Sequence, residues 1–351
     1  MLIDCDRFDR VDVTLGAHVG DELLRLVGER LNAALRRGDG DDSDAHGAPV
    51  AARLASDQFV LLEASIAMHE AKRAGGARYG IFQPGMKQRA SQRGALETDL
   101  RRAIAEDQLF VVYQPIVSLA DVGCAGVEAL VRWQHPQRGV VPPVEFIGIA
   151  EETGLIGALG DFVLREACRQ LAAWRRDLGP LAPRGVSVNL SRAQLLAGPF
   201  IAQVRAALAA SGLPARLQLE ITESLAAQGD EVIASLHQLK ALGVTLALND
   251  FGTGHSSLSS LHQMPVDVVK IDRSFVCQIE SSDHHRVLVE ATMMVAKSLR
   301  MGTVAEGIET TGQRDVLRSL GCDKGQGYLF AKPMGAAAAT EWLLREVALF
   351  S

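Results

Sequence analysis

From Gly94 onward the chain repeats one alternation, a short apolar run followed by an amphipathic stretch. The apolar runs are FVVYQPIVSL, GVEALVRW, GVSVNLS, RLQLEITES, TLALNDFG, VDVVKIDRSF, GTVAEGIE and KGQGYLF. Short runs of this composition, bounded by glycine and polar residues, read as strands. Between most of them lie stretches such as DFVLREACRQLAAWRR, PFIAQVRAALAASG and HRVLVEATMMVAKSLR. Their apolar residues recur at three- and four-residue steps, which is one face of a helix. A first helix is expected over 94–108. Strands that alternate with helices imply parallel pairing, and eight such units close a barrel. The fold class is therefore α/β, a (β/α)8-like barrel of the TIM type, which takes roughly 250 residues.

Residues 1–92 read differently from this second domain, 93–351. MLIDCD is a strand candidate, and a helix is expected around Gly20–Arg36. The stretch RRGDGDDSDAHGAP is too polar and glycine-rich to bury much surface. VAARLASDQFVLLE then predicts a β-hairpin turning at Ser56-Asp57, and SIAMHEAKRAG a short helix that ends at glycine.

The barrel strands carry polar residues late in their runs. The second has Glu128, the third Asn189, the fourth Glu220, and the fifth Asn249 and Asp250. Lys270 lies on the sixth, Glu306 on the seventh and Gln326 on the eighth. Late in a barrel strand means the C-terminal mouth, where barrel enzymes keep their sites. Carboxylates converging there repel one another and raise each other's pKa, and a divalent cation relieves that repulsion. Carboxylate and amide oxygens without Cys or His point to Mg²⁺, Mn²⁺ or Ca²⁺.

Composition removes other classes. At 48% hydrophobic and 22% charged, the 351 residues are those of an ordinary globular protein. The net charge of −6 speaks against a nucleic-acid polymer as partner. No stretch of 18 apolar residues marks a membrane span. Five scattered cysteines without a CxxC suit a reducing cytoplasm. GTGHSS lacks the spacing of a P-loop and the GK[ST] that follows one, and His284-His285 reads as surface.

VEALVRWQHP at 127–136 contains the Glu-Ala-Leu signature and resembles the EAL domain family. The resemblance runs on through PPVEFIGIAEETGLI, VSVNLS, LEITES, NDFGTGHSSL, VKIDRSF, VAEGIET and GQGYLFAKPM, in order, over about 94–349. It implies a (β/α)8-like barrel with one antiparallel strand, which hydrolyses cyclic di-GMP to linear pGpG with two Mg²⁺ or Mn²⁺ ions. It further implies that Glu128, Asn189, Glu220 and Asn249 are ligands of the first metal and Asp250 of the second. Glu306 resembles the family's general base and Lys270 the group that holds the attacking water. Gln114, Arg132 and Gln326 resemble contacts to the dinucleotide, and Glu223 the anchor of the loop after the fifth strand. A homodimer through the barrel is implied as well.

Two positions depart from the family pattern. Asn249 stands where the family has an Asp that bridges both metals, and His255 where Tyr is usual. An amide offers one good oxygen and no charge, so it is a poor bridge. A phosphodiesterase weakened at the second metal is expected, with a non-catalytic cyclic di-GMP receptor as the alternative.

The N-terminal LIDCDRFDRVDVTLGAHVGDELLRLVGERL resembles the start of a GGDEF, or diguanylate cyclase, domain. RLASDQFVLL sits where RLGGDEF would be, so the glycines of the turn and the catalytic Glu are gone. On the order of 50 residues of that small α+β domain are missing, and a truncated remnant without cyclase activity is expected.

Overall fold

The N-terminal strand and hairpin form as their sequences predict. In the computed structural model, β1 (Leu2–Asp4), β2 (Ala52–Ala55) and β3 (Gln58–Val60) make an antiparallel sheet in the order β1-β3-β2. Ala55 pairs with Gln58 across the hairpin, and the turn expected at Ser56-Asp57 lies outside the described residues. Residues 22–27 are helical, with Leu24 buried, as part of the helix expected there. The structure describes residues 2–4, 19, 22–27, 29–30, 52–55, 58–60 and 84–350, less 122, 197, 213–215, 223–224, 226–228 and 252–263. The polar stretch before the hairpin and the short helix expected after it lie outside the described residues. By compactness the chain divides into Met1–Leu96 and Glu97–Ser351.

Helix α1 (Pro84–Ala105) begins ten residues before the expected 94. Pro84 suits a first helical turn, where its missing N–H costs nothing. The added residues, GMKQRASQR, are polar, so no apolar stripe betrays them in the sequence. Apolar Leu96, Leu100 and Ala103 further on are buried.

Then follow β4 (Leu109–Ser118), β5 (Cys124–His135), β6 (Gly139–Val141), α2 (Pro143–Glu152), α3 (Ile156–Leu178) and β7 (Val186–Asn189). After them come α4 (Arg192–Leu196), α5 (Phe200–Ser211), β8 (Leu217–Thr222), α6 (Gly229–Ala241), β9 (Thr245–Phe251) and β10 (Val268–Ile271). The chain ends through α7 (Arg273–Val276), α8 (Asp283–Ser298), β11 (Gly302–Ala305), α9 (Thr311–Ser319), β12 (Lys324–Gly325) and α10 (Ala336–Phe350). The strand order is β4-β12-β11-β10-β9-β8-β7-β5-β6, and β4 also pairs with β5. That last pairing closes eight strands into a barrel, with β6 folded onto β5 as a hairpin outside the ring. Both pairings of β4 are antiparallel, and the ring is otherwise parallel.

Alternation along each strand sorts residues to two sides. Leu217, Leu219 and Ile221 of β8 and Leu246 and Leu248 of β9 join the core between sheet and helices, with Leu164, Leu171 and Val204. Fully burying one such side chain contributes about 1.5–3 kcal/mol. Residues of opposite parity point inward. Ile116, Ala247, Val268 and Val304 come from β4, β9, β10 and β11 and pack on one another across the barrel interior.

The eighth strand is shorter than KGQGYLF predicts, with only Lys324 and Gly325 in the sheet. The chain then turns because residues 326–330 bond to the loop after β11. Ile308 N–H donates to Gln326 O, and Leu329 N–H to Ile308 O. Gly327 permits this approach, since a Cβ there would lie 2.1 Å from Ile308 O.

Candidate metal centre at the barrel mouth

Inward residues of six strands, joined by Glu306 just after β11 and Gln326 just after β12, meet above this apolar layer. Glu128, Glu220 and Glu306 each offer a carboxylate oxygen, all within 4.8 Å of one another. Lys270, 0% exposed, sits among them. Its Nζ lies 2.6 Å from Glu220, 2.5 Å from Glu306 and 3.7 Å from Glu128. Burial alone would lower the Lys270 pKa, but the three carboxylates outweigh it and hold the ammonium charged. Burial, then the Glu128 charge, push Glu220 up to about 7 against the pull of Lys270.

Amides tie these groups together. Asn189 Nδ2 donates to Glu128 Oε1 at 2.8 Å. Asn249 Nδ2 donates to Glu220 Oε2 at 3.1 Å and to Asn189 Oδ1 at 3.2 Å. Gln326 Nε2 donates to Glu128 Oε2 at 2.6 Å and to Gln114 Oε1 at 3.0 Å, while Gln114 Nε2 reaches Ala331 O at 3.2 Å. Gln114 and Glu128 are cross-strand partners, which sets this chain of amides. Asn249 owes its place to a bulge. Val269 pairs with Leu248 but Ile271 with Phe251, so β9 spends three steps where β10 spends two.

The structure therefore brings together Gln114, Glu128, Asn189, Glu220, Asn249, Lys270, Glu306 and Gln326. Arg132 stands apart, bonded to Val131 O at 2.8 Å, and burial depresses its pKa. Asp250 lies on β9, and its side chain is outside the described part, as are Glu223 and His255.

The donor set suits a hard divalent cation. Three carboxylates face one ammonium, so with all ionised the cluster is short of two positive charges. Glu220 Oε1, Asn249 Oδ1 and Gln326 Oε1 are buried acceptors without a hydrogen-bond partner. Unsatisfied oxygens in a negative pocket without sulfur or imidazole are what Mg²⁺-type ions bind.

Two cavities flank the cluster. One, about 300 Å³, lies against Asn249, Glu306, Gly307, Gln326, Arg273 and Tyr328. The other, about 350 Å³, is lined by Leu130, Arg132, Ile147, Asn189, Gln194 and Glu220. Arg273, bonded to Glu309 at 2.7 Å, and Tyr328, 55% exposed beneath Lys332, are wall residues that the sequence reading missed. Arg273 follows Lys270 by three residues and was within reach of that reading. Tyr328 was hidden because its segment read as a strand.

With this geometry in view, known proteins give the family. Residues 97–333 match the EAL domain. The chain belongs to the EAL domain family. Residues 1–79 match the diguanylate cyclase, GGDEF domain. The chain is 36% identical over 399 positions to the cyclic di-GMP phosphodiesterase NbdA of Pseudomonas aeruginosa, covering 98% of this chain and 49% of that protein. It is 38% identical over 288 residues to the cyclic di-GMP phosphodiesterase PdeR of Escherichia coli, covering 82% of this chain and 43% of that protein. A solved structure of the PaMucR phosphodiesterase with c-di-GMP superposes with a TM-score of 0.67 at 40% identity, covering 70% of this chain and 99% of that one. The chain spans about half or less of the curated relatives named here.

The NbdA match covers 98% of the 351 residues, about 344, yet runs over 399 positions, so some 55 positions of the relative face no residue of this chain. The PdeR match, over 288 positions and 82% of the chain, about 288 residues, shows no such excess. Among the described residues, no helix is long and apolar enough to cross a membrane.

Proposed function

We propose that the barrel hydrolyses cyclic di-GMP to linear pGpG with bound Mg²⁺ or Mn²⁺. The observation that carries this reading is the buried Glu128, Glu220 and Glu306 set around Lys270, with unsatisfied oxygens facing a mouth between two cavities. Cyclic di-GMP carries two guanine bases on a ring closed by two phosphodiesters, and the two cavities on either side of the cluster could each take a base. Glu128, Asn189, Glu220, Asn249 and Asp250 would hold the metal. Divalent ions bound there supply charge to the phosphodiester and lower the pKa of water. Lys270 holds the attacking water, and Glu306, beside it, takes the proton as oxygen attacks phosphorus and the 3′ oxygen leaves. Gln114, Arg132 and Gln326 face the ligand, and Glu223 anchors the loop after β9.

Asn249 supports a second reading, a receptor that binds cyclic di-GMP without cutting it. Its amide spends both donors on Glu220 and Asn189, leaving one neutral oxygen where a bridging carboxylate would add a charge. Incubation with cyclic di-GMP and Mn²⁺ or Mg²⁺, with product analysis beside a binding isotherm, separates the two. Metal-dependent pGpG supports the enzyme, binding without product supports the receptor, and the absence of both product and binding sinks both readings. We further propose that residues 1–92 are a remnant without cyclase activity, so that GTP yields no cyclic di-GMP. The protein acts in the cytoplasm as a homodimer through its barrel. Size-exclusion chromatography with light scattering tests the dimer.

A further inference from the structure

The opposite end of the same barrel is also hollow. TIM-type interiors are normally filled by branched apolar side chains. Here a cavity of about 240 Å³ opens at the N-terminal end, bounded by Ile116, Val268 and Val304 on the apolar side. Two inward positions in its lining are glycine, Gly126 and Gly185, by alternation with Glu128 and Ser187. A Cβ at Gly185 would lie 2.8 Å from Arg216 O, and one at Gly126 3.2 Å from Gly185 O, so both glycines also let the strands approach.

The remaining lining is polar and basic. Lys324 pairs with inward-facing Val304 on the neighbouring parallel strand, so its side chain enters the barrel one step below Gln326. Arg184 and Arg216 border the same cavity from the starts of β7 and β8, together with Ser187, Gln218 and Thr245. Ser187, only 4% exposed, accepts from Gln218 Nε2 at 3.0 Å, which leaves its own proton to donate. Arg216 Nη1 donates to Arg184 O at 2.8 Å, holding the two strand starts together.

No carboxylate lines the cavity among the described residues. The acids at this end are engaged elsewhere. Asp267 binds Lys240 at 2.6 and 2.7 Å, and Asp323 binds Thr303 through its N–H and hydroxyl. Asp121, which feels the Arg184 charge, is exposed and held first by Ser118 and then by the Gly123 N–H. Three cations, from three strand starts, thus border a cavity with hydroxyl and amide donors and no carboxylate in its lining. Such a set matches an oxyanion, since charge-assisted N–H and O–H bonds to phosphate oxygens are the strong ones.

We propose that this floor cavity is a second binding site, separate from the mouth, for the phosphate group of inorganic phosphate or of a phosphate monoester. It does not rest on the reading of the mouth. The test is calorimetric titration of the metal-free full chain with inorganic phosphate and, in a second arm, guanosine 5′-monophosphate. The variants are Lys324→Met, Arg184→Gln and, as a control at the mouth, Asn249→Asp. Arg184 is exposed, so its variant keeps the test valid even if Lys324→Met melts early. The expected result is saturable binding, weakened at least tenfold by both floor variants and unchanged by Asn249→Asp. Tighter binding of the monoester supports a nucleotide source, and equal binding supports free phosphate. Absence of saturable binding up to roughly 20 mM, or equal affinity in folded floor variants, overturns the proposal.

Discussion

The two ends of this barrel are built from the same strands and carry opposite charge. At the C-terminal mouth three carboxylates crowd one lysine, and at the N-terminal floor two arginines and a lysine border a cavity without an acid. Four apolar side chains, Ile116, Ala247, Val268 and Val304, separate them. Each strand contributes to both ends through residues two or four apart, such as Lys324 and Gln326, or Ser187 and Asn189. Position along a strand thus decides the sign of charge, while parity decides whether the residue faces the interior at all. On the proposed reading the mouth must first attract a cation before it can hold a phosphodiester, whereas the lining of the floor is already complementary to an anion.

Breaking the mouth at its centre has the largest expected effect. Lys270→Met leaves buried carboxylates without their counter-ion, at a cost of about 3–5 kcal/mol. Chemical denaturation in chelator should show that loss, and added Mn²⁺ should restore part of it. An unchanged midpoint would mean that the cluster does not depend on the lysine. Glu128→Ala removes one carboxylate that Asn189 and Gln326 orient. Cyclic di-GMP turnover should fall at least about a hundredfold, or 2.7 kcal/mol in barrier, and persistent hydrolysis would refute the ligand assignment.

Asn249→Asp sharpens the contrast by making the mouth more acidic. We expect turnover to rise about tenfold, or 1.4 kcal/mol, with a lower metal midpoint, and the gain to be larger in Mg²⁺, which demands stricter geometry. Rates followed against metal concentration decide this. Equal rates and midpoints would show that the amide serves adequately.

A further effect is one of pH. The folded state holds the Glu220 pKa near 7, above the ordinary value of 4.5, so the folded protein binds the extra proton. Its contribution to stability is present below pH 4.5 and is lost as pH rises toward 7. In chelator, the stability difference between wild type and Glu220→Gln should change across that window. A flat difference would show that Lys270 keeps Glu220 ionised throughout.

Much of the mouth was legible in the sequence because its signals are local. A polar residue interrupting an apolar strand, as in LEITES or VVKIDRSF, needs only the two-residue period to be placed on the inner face. Other features depended on contacts between distant segments. KGQGYLF has the composition of a strand, yet it turns after Gly325 because the loop at Ile308 captures its backbone. Gln114 and Gln326, read as ligand contacts, also bond each other across 212 positions and orient Glu128. The polar start of α1 was invisible because its residues carry no apolar stripe.

By itself, the sequence determined the order of strands and helices, the parity of the inward residues and the amide at position 249. These follow from short-range periodicity and from the chemistry of single side chains. The tertiary structure decided which of those residues meet. Nothing local distinguishes Arg184, Arg216 and Lys324 from other basic residues, or Gly126 and Gly185 from ordinary turn glycines. Only ring closure, through the antiparallel pairing of β4 with β5 and β12, brings those cations to one cavity and the three carboxylates to one lysine. Electrostatic interaction depends on separation in space and on burial, and neither is a property of position along the chain.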